Sequence, residues 1–342
     1  MDVKQLRYFL AIVDAGSISK AAEVLFVAQP SLSYQIASLE GDLGVSLLLR
    51  SPLGVVPTEA GKSLYRRAQQ VVRQMDQIRQ DVREKSRSVS GNVAIGFPTT
   101  IASVLALPLF QRVRSLYPGI HLQFFESMSG YITELLANGR LDLALLFRDS
   151  PTRGISLHPL FDESLYVVGN AIPSLANTVD REDPLDPVCA LRLLSGVPLV
   201  IPSAANGLRL LVERTFSAAE VDLNIVADID SLPTLISIAI SGDAVTILPA
   251  SALVRLDVPV RPTMRRIVEP HVRRPASLCW SNTVPWIPAT QAVKDVMIEL
   301  ISELKDAGTW PGISLRNGQE AMPLASLDGD AVPVRDGEEN PL

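Results

Sequence analysis

Cysteine is nearly absent from this chain. Cys189 and Cys279 are the only two in 342 residues, and they have no metal-ligand spacing, which fits a reducing cytoplasm. Histidine is as scarce: His121, His158 and His271 are scattered, with no pairing for a metal or a general base. No run of eighteen or more apolar residues exists, so no membrane span is expected. The start, Met1-Asp2-Val3-Lys4-Gln5, lacks the charged and apolar regions of a secretory signal. Gly61-Lys62-Ser63 looks like the end of a phosphate-binding loop, but Val56 stands where the glycine five residues earlier belongs. No glycine-rich dinucleotide fingerprint follows a strand. Neither a metal, nor a cofactor, nor a catalytic constellation is expected.

Charge is present but unevenly spread. The chain carries a formal net charge of -6, which would argue against nucleic acid if it were uniform. Residues 1–87 instead hold 12 Lys and Arg against 9 Asp and Glu, and residues 318–342 hold one Arg against six acids. A mildly basic head on an acidic body suits a DNA-binding protein, although charge alone is weak support.

Periodicity then organises the chain. Leu6, Phe9, Leu10 and Val13 predict a helix from about Val3 to Ala15, ended by Gly16. Ser17 or Ser19 can cap a second helix with Ala21, Ala22 and Leu25 inward. A third helix has Pro30 in its first turn, a buried stripe of Leu32, Ile36, Leu39 and Leu43, and Gly44 as its stop. Leu47–Arg50 and Val55–Pro57 read as a ribbon around Ser51-Pro52-Leu53-Gly54, and Thr58 caps a helix running to about Lys85. That long helix has an apolar stripe too extended for the small head to cover, so a second subunit is expected on it. After a polar break at 85–91, apolar strands alternate with helices in two blocks, about 91–160 and 163–250, with 262–304 crossing back. The stretch from Asp306 is rich in Gly, Pro and acids and reads as a tail without periodicity.

Helix, turn, helix and wing is the shape that places one helix in a major groove. On that helix Gln29, Ser33 and Gln35 are candidates for base edges, with Pro30 able to meet a thymine methyl and Tyr34 able to hydrogen bond. Ser31, Lys20 and Arg50 suit phosphates, and Ser17 and Ser19 cap with a possible phosphate contact. The plain alternative is a solvated helix face.

These residues resemble the LysR-type transcriptional regulators. The likeness rests on Phe9 through Leu25, Ala28-Gln29-Pro30-Ser31-Leu32-Ser33, Leu39-Glu40 with Leu43-Gly44, Arg50, and Pro57-Thr58 with Ala60-Gly61. In the body it rests on Gly139-Arg140-Leu141-Asp142-Leu143-Ala144-Leu145 and on Gly242 with Val245, Ile247, Leu248 and Pro249. The run Ser90-Gly91-Asn92-Val93-Ala94-Ile95-Gly96-Phe97 is similar to the nitrogen assimilation control regulators within that family. The resemblance covers residues 1–304. It implies a winged helix-turn-helix head (1–58), a linker and dimerisation helix (59–88), a two-lobed α/β regulatory domain shaped like a type 2 periplasmic binding protein (89–304), and an acidic tail (305–342). It also implies a homodimer or tetramer on double-stranded DNA with an interrupted palindrome, contact with RNA polymerase, and an effector between the lobes. Leu53 departs from the pattern, because the family's wing often carries a basic residue there.

Turns after strand ends should line that cleft. Thr99 and Thr100 follow the first strand, and Ser203 and Ser231 occupy analogous places, so hydroxyls and helix-start N–H groups would suit a small anionic metabolite. Ordinary capping is the alternative for each. Phe147 ends the third strand and would wall the pocket, making it smaller and drier, or join the core. Two other classes of function remain: a small-molecule-binding protein whose lobes are the main function, and an α/β enzyme with an appended head. Redox sensing through either cysteine is a further alternative.

Overall fold

The computed structural model describes residues 1–51, 54–83, 89–152, 154–170, 186–204, 206–255 and 261–316. Helix α1 (Val3–Ala15) starts in a capping box: Asp2 accepts from the Gln5 amide at 2.8 Å, and the Gln5 side chain accepts from the Asp2 amide at 3.0 Å. Two N–H groups without helical partners are thereby satisfied. Ser17 caps α2 (Ile18–Val24), and α3 (Gln29–Leu43) carries Pro30 in its first turn and stops at left-handed Gly44. Phe9, Ile12, Leu32, Ile36 and Leu39 meet with no exposed surface, one helical face from each partner. Each such side chain contributes roughly 1.5–3 kcal/mol on burial.

Strands β1 (Leu48–Ser51) and β2 (Gly54–Pro57) form the wing, with Ser51 opposite Gly54. Pro52 and Leu53, expected in its turn, lie outside the described residues. The Thr58 hydroxyl donates to the Ser46 carbonyl at 2.8 Å and accepts from the Gly61 amide at 2.9 Å, capping α4 (Glu59–Arg83). Position 61 tolerates no side chain, since a β-carbon there would stand 2.0 Å from the Leu47 carbonyl oxygen. Helix α4 is held to α1 by the Arg7–Asp76 ion pair and by the Tyr65 hydroxyl on Asp14, while Val71 and Ile78 stay exposed along it.

The body opens with β3 (Ser90–Phe97), α5 (Thr99–Leu116), β4 (Gly119–Glu126), α6 (Ser129–Ala137) and β5 (Leu143–Leu146). A fourteen-residue strand, β6 (Ile155–Val168), follows. Then come β7 (Val188–Ala190), β8 (Pro198–Ile201), α7 (Gly207–Ala218), β9 (Asn224–Asp228), α8 (Leu232–Ser241), β10 (Thr246–Pro249), β11 (Met264–Val268), β12 (Arg273–Ser281), α9 (Pro288–Asp306) and β13 (Ile313–Leu315). The main sheet runs β4-β3-β5-β12-β6-β11-β7, with β10 and β13 also on β6. Its β3, β4 and β5 are parallel; β3 and β5 are apolar and buried along most of their length, whereas β4, at the edge, is mostly exposed.

Strand β6 is what joins the two lobes. From Ile155 to Ser164 it pairs with β12, from Leu165 to Val168 with β10, and from Tyr166 to Val168 with β11. The lobes are filled separately: the first around Val93, Ile95, Leu143, Leu278 and Met297 and around Ile132, Leu136 and Cys279, the second around Leu165, Leu199, Phe216, Ile247 and Ile267. The chain returns to the first lobe through the β11–β12 connection, within the 262–304 stretch expected to cross.

The segment after residue 305 differs from the expected tail. Strand β13 pairs with β6, Ile313 opposite Glu163, and Trp310 is buried edge-on against Phe161 with ring centroids 5.0 Å apart. Aromatic burial here outweighs the turn-rich composition around it. Residues 317–342, the remainder of that tail, lie outside the described residues.

Candidate DNA interface and effector cleft

The start of α3 carries the candidate base readers. Gln29, Pro30, Ser31 and Tyr34 are exposed, and Ser33 and Gln35 are half-buried. Gln29 donates to the Ser33 hydroxyl at 3.0 Å, one turn away. That bond is local and exposed, so either group can trade it for a base edge at little cost. Ala28 precedes the helix without a side-chain cap, but few N–H groups are left over there, since Pro30 has none and the Ser31 amide donates to the Ala28 carbonyl at 3.0 Å. Ser17 spends its hydroxyl on the Lys20 amide at 3.4 Å, whereas Ser19 and Lys20 are exposed on α2 and Arg50 on β1. Glu40, prominent in the sequence motif but given no role from it, has a structural one. Its Oε1 accepts from the amides of Leu47 and Leu48 at 2.6 and 3.2 Å, tying the wing to α3.

In the body, Thr100 and Phe147 are brought together by a residue that local pattern did not reveal. The Arg274 guanidinium lies 3.3 Å above the Phe147 ring centroid, and its Nη2 donates to the Thr100 hydroxyl at 2.9 Å. Arg274 Nε and Nη2 also donate to Glu163 Oε2 at 2.9 and 2.7 Å. Glu163 Oε1 in turn accepts from the Ser251 hydroxyl at 2.6 Å and from the Trp310 indole at 3.2 Å. Glu163 is fully buried and the Arg274 side chain is 8% exposed. The two stand opposite each other in the β6–β12 register, where β6 passes between lobes. Burial works against the Arg274 charge, and the Glu163 carboxylate opposes that effect. One ion pair therefore ties β6, β12, the start of α5, the turn after β10 and the segment before β13.

The remaining candidates are arranged differently. Thr99 is exposed at the start of α5. Ser203 does not cap a helix: α7 begins later, with Asn206 accepting from the Leu208 amide at 3.0 Å. The Ser203 amide donates instead to Asp230 at 3.0 Å. Ser231 occupies the cap position of α8, yet its oxygen accepts from the Thr234 hydroxyl at 2.9 Å rather than from the backbone. Among the described residues no hydrogen bond joins this pair of turns to the Thr100 group.

Burial pushes the Cys189 thiol up to about 11 and the Cys279 thiol up to about 12, so the reactive thiolate is suppressed at neutral pH. No group of three or more metal-binding side chains occurs among the described residues. No described helix is long and apolar enough to cross a membrane.

Comparison with known proteins agrees with both halves. The profile of the bacterial regulatory helix-turn-helix proteins of the lysR family matches residues 3–62, and that of the LysR substrate binding domain matches residues 86–301. The nitrogen assimilation regulatory protein Nac of Escherichia coli (strain K12) is 37% identical over 303 residues, covering 88% of this chain and 96% of that one. A full-length OxyR variant from Pseudomonas aeruginosa superposes with a TM-score of 0.67 at 24% identity, over 87% of this chain and 97% of that one. The regulator CbnR, solved full-length in complex with its target DNA, superposes with a TM-score of 0.51 at 22% identity, over 87% of this chain and 99% of that one. The matched relatives are transcriptional regulators rather than enzymes, and this chain belongs to the LysR family of DNA-binding transcription regulators.

Proposed function

We propose that the protein reads an interrupted palindrome in the cytoplasm as a homodimer or tetramer, acting through binding rather than catalysis. The observation that carries this reading is the exposed amide and hydroxyl face at the start of α3, flanked by Lys20 and Arg50. Gln29, Ser33 and Gln35 take base edges, Pro30 a thymine methyl, and Ser17, Ser19, Lys20, Ser31, Tyr34 and Arg50 the backbone. Residues 1–58 form the reading head and 59–88 the linker whose exposed Val71 and Ile78 meet a second subunit. Residues 89–304 form the regulatory domain, and contact with RNA polymerase completes the output.

A small anionic metabolite in the cleft modulates that output, with Thr99, Thr100, Phe147, Ser203 and Ser231 around it. Two internal carboxylates already occupy donors of the kind such a ligand needs: Glu163 on Arg274 and Asp230 on the Ser203 amide. An anion therefore competes with the chain's own acids, and only its differential affinity for the two arrangements shifts the equilibrium. The test is selection of genomic fragments by purified protein, followed by footprinting with Gln29→Ala as control. A protected interrupted palindrome weakened at particular base pairs by Gln29→Ala supports the reading. Only sequence-indifferent binding overturns it.

A further inference from the structure

Residues 308–316 lie beyond the 86–301 span that the substrate binding domain matches, yet they are tied down along their whole length. The Thr309 hydroxyl and the Trp310 amide both donate to the Leu304 carbonyl, at 3.0 and 3.1 Å, which turns the chain off the end of α9. The Trp310 ring then enters the first lobe's core beside Phe161, and its indole donates to Glu163 Oε1. The Ser164 amide donates to the Gly312 carbonyl at 2.8 Å, just before β13 pairs with Phe161–Glu163. Arg316 closes the segment: Nη2 and Nε donate to the two Asp162 oxygens at 2.6 and 3.1 Å, and its amide donates to the Leu160 carbonyl at 3.0 Å.

What matters is where this segment lies. Strand β6 changes lobes between Ser164, the last residue on β12, and Leu165, the first on β10. At Phe161–Glu163 both of its edges are taken, one by β12 and the other by β13. The segment also reaches past the change of lobe. Gly312 is left-handed, with φ of +78°, and a β-carbon there would stand 2.8 Å from the Tyr166 hydroxyl and 3.1 Å from its ring carbon Cε2. Tyr166 belongs to the second lobe's core. Bare backbone is therefore seated on a ring of one lobe while Trp310 is buried in the other. Glu163 adds a second tie, because Oε1 serves both Trp310 and Ser251 in the turn after β10. Rotation of the lobes about β6 would have to break this fit, whereas a free hinge strand absorbs such a rotation in a few residues.

We propose that residues 308–316 are a clasp on the hinge, and that the face of β6 between the lobes is its docking site. Docked, the clasp holds the lobes in one arrangement. Undocked, the lobes turn about β6, and the spacing of the heads on DNA changes with them. The DNA consequence rests on the regulator reading above; the restraint on the lobes does not.

The experiment measures the distance between spin labels on Ser115→Cys in α5 and Ser217→Cys in α7, one exposed position in each lobe. The natural cysteines are buried and stay unlabelled. The full-length labelled chain is coexpressed with an excess of unsubstituted chain, so that an assembly carries at most one labelled copy. The same substitution is then made at two glycines. Asn accepts a left-handed backbone at both, but at Gly308 a β-carbon meets nothing within 4 Å, whereas at Gly312 it meets Tyr166. Trp310→Phe, which keeps a ring in the core and removes the bond to Glu163, is the third variant. The expected result is one narrow distance in the parent and in Gly308→Asn, a distribution about twofold wider in Gly312→Asn, and an intermediate width in Trp310→Phe. On the selected palindrome, Gly312→Asn should shift the footprint midpoint by about fivefold with base preference unchanged. A parent-like distance in Gly312→Asn, or equal widening in Gly308→Asn, overturns the clasp. If Gly312→Asn fails to fold, Trp310→Phe decides, and a parent-like width there overturns it too. A widened distance with an unchanged footprint overturns the DNA consequence. The distances are read without DNA, so absence of any specific wild-type footprint defeats the regulator reading and leaves the restraint to be judged by itself.

Discussion

On α3, Gln29, Ser31 and Tyr34 hold their polar groups out in water, with one local bond from Gln29 to Ser33. At the β6–β12 crossing, Glu163 and Arg274 are withdrawn from water and meet Ser251, Trp310, Thr100 and Phe147 besides each other. Both regions are polar, and they use polarity in opposite ways. Unspent exposed donors cost little in the free protein and leave the pairing to another molecule. Buried charge is tolerable only when fully partnered, so the crossing spends its groups on holding the lobes, and a ligand gains access by exchange.

The sharpest way to break this comparison is at the crossing. Arg274→Met leaves Glu163 buried without its cation, and losing one partner of a buried pair costs about 3–5 kcal/mol. Urea denaturation of the full chain should show the loss in the body while the head transition stays in place. Replacing Glu163 by Gln in the same chain should recover part of it, because no uncompensated buried charge then remains. A cost below about 1 kcal/mol for Arg274→Met would mean that water reaches the pair and the contrast with α3 is false.

On α3 the expected sign is reversed: binding suffers and stability does not. Gln29→Ala should cost about 1–3 kcal/mol at particular base pairs, read by footprint titration on single-pair variants of the site. Lys20→Ala should instead weaken all sequences alike and reduce the salt slope of binding by about one. If both substitutions weakened every sequence equally, the division between base and backbone contacts would collapse. Glu40→Ala tests a residue that shares both characters, being half-buried yet part of the head. It strands the Leu47 and Leu48 amides, for about 1–3 kcal/mol, and should loosen the wing, lowering affinity without altering base preference.

The two regions also differ in how far they could be read from sequence. The head is a chain of short-range signals: Gly16, Ser17, Pro30, Gly44 and Thr58 each mark an element end, and the buried stripe of α3 recurs at helical spacing. Leu43, expected as the last member of that stripe, is instead 39% exposed at the end of the helix, where Gly44 stops it. The crossing has no such signature. Glu163 and Arg274 are 111 residues apart, and their pairing exists only through strand register. The boundary expected between the two blocks, at 160–163, falls inside β6, where Pro159, Asp162, Glu163 and Ser164 interrupt the apolar run. Trp310 and β13 were lost to the tail because Gly308, Pro311 and Gly312 signal turns on either side of the tryptophan. Ser203 and Ser231 followed the rule for strand ends, but nearby Asp230, Asn206 and Thr234 took the bonds that the rule assigned to ligand or backbone.

The smallest expected effect concerns Phe26, whose backbone departs from good local design. Phe26 holds a left-handed backbone that costs an L-residue roughly 1–2 kcal/mol, and at 95% exposure the ring contributes no burial in return. Phe26→Asn keeps the Schellman closure at the end of α2, since the Val27 and Phe26 amide bonds depend on backbone alone. The substitution should therefore stabilise the head by up to about 1 kcal/mol, seen as a higher urea midpoint at unchanged slope. Natural chains commonly sit short of their stability optimum, so a gain of this size is available at a single exposed position. If Phe26→Asn destabilised the head, the ring would have an intramolecular role after all. The exposed face of the head would then resemble the crossing, with its side chains committed to the fold instead of to a partner.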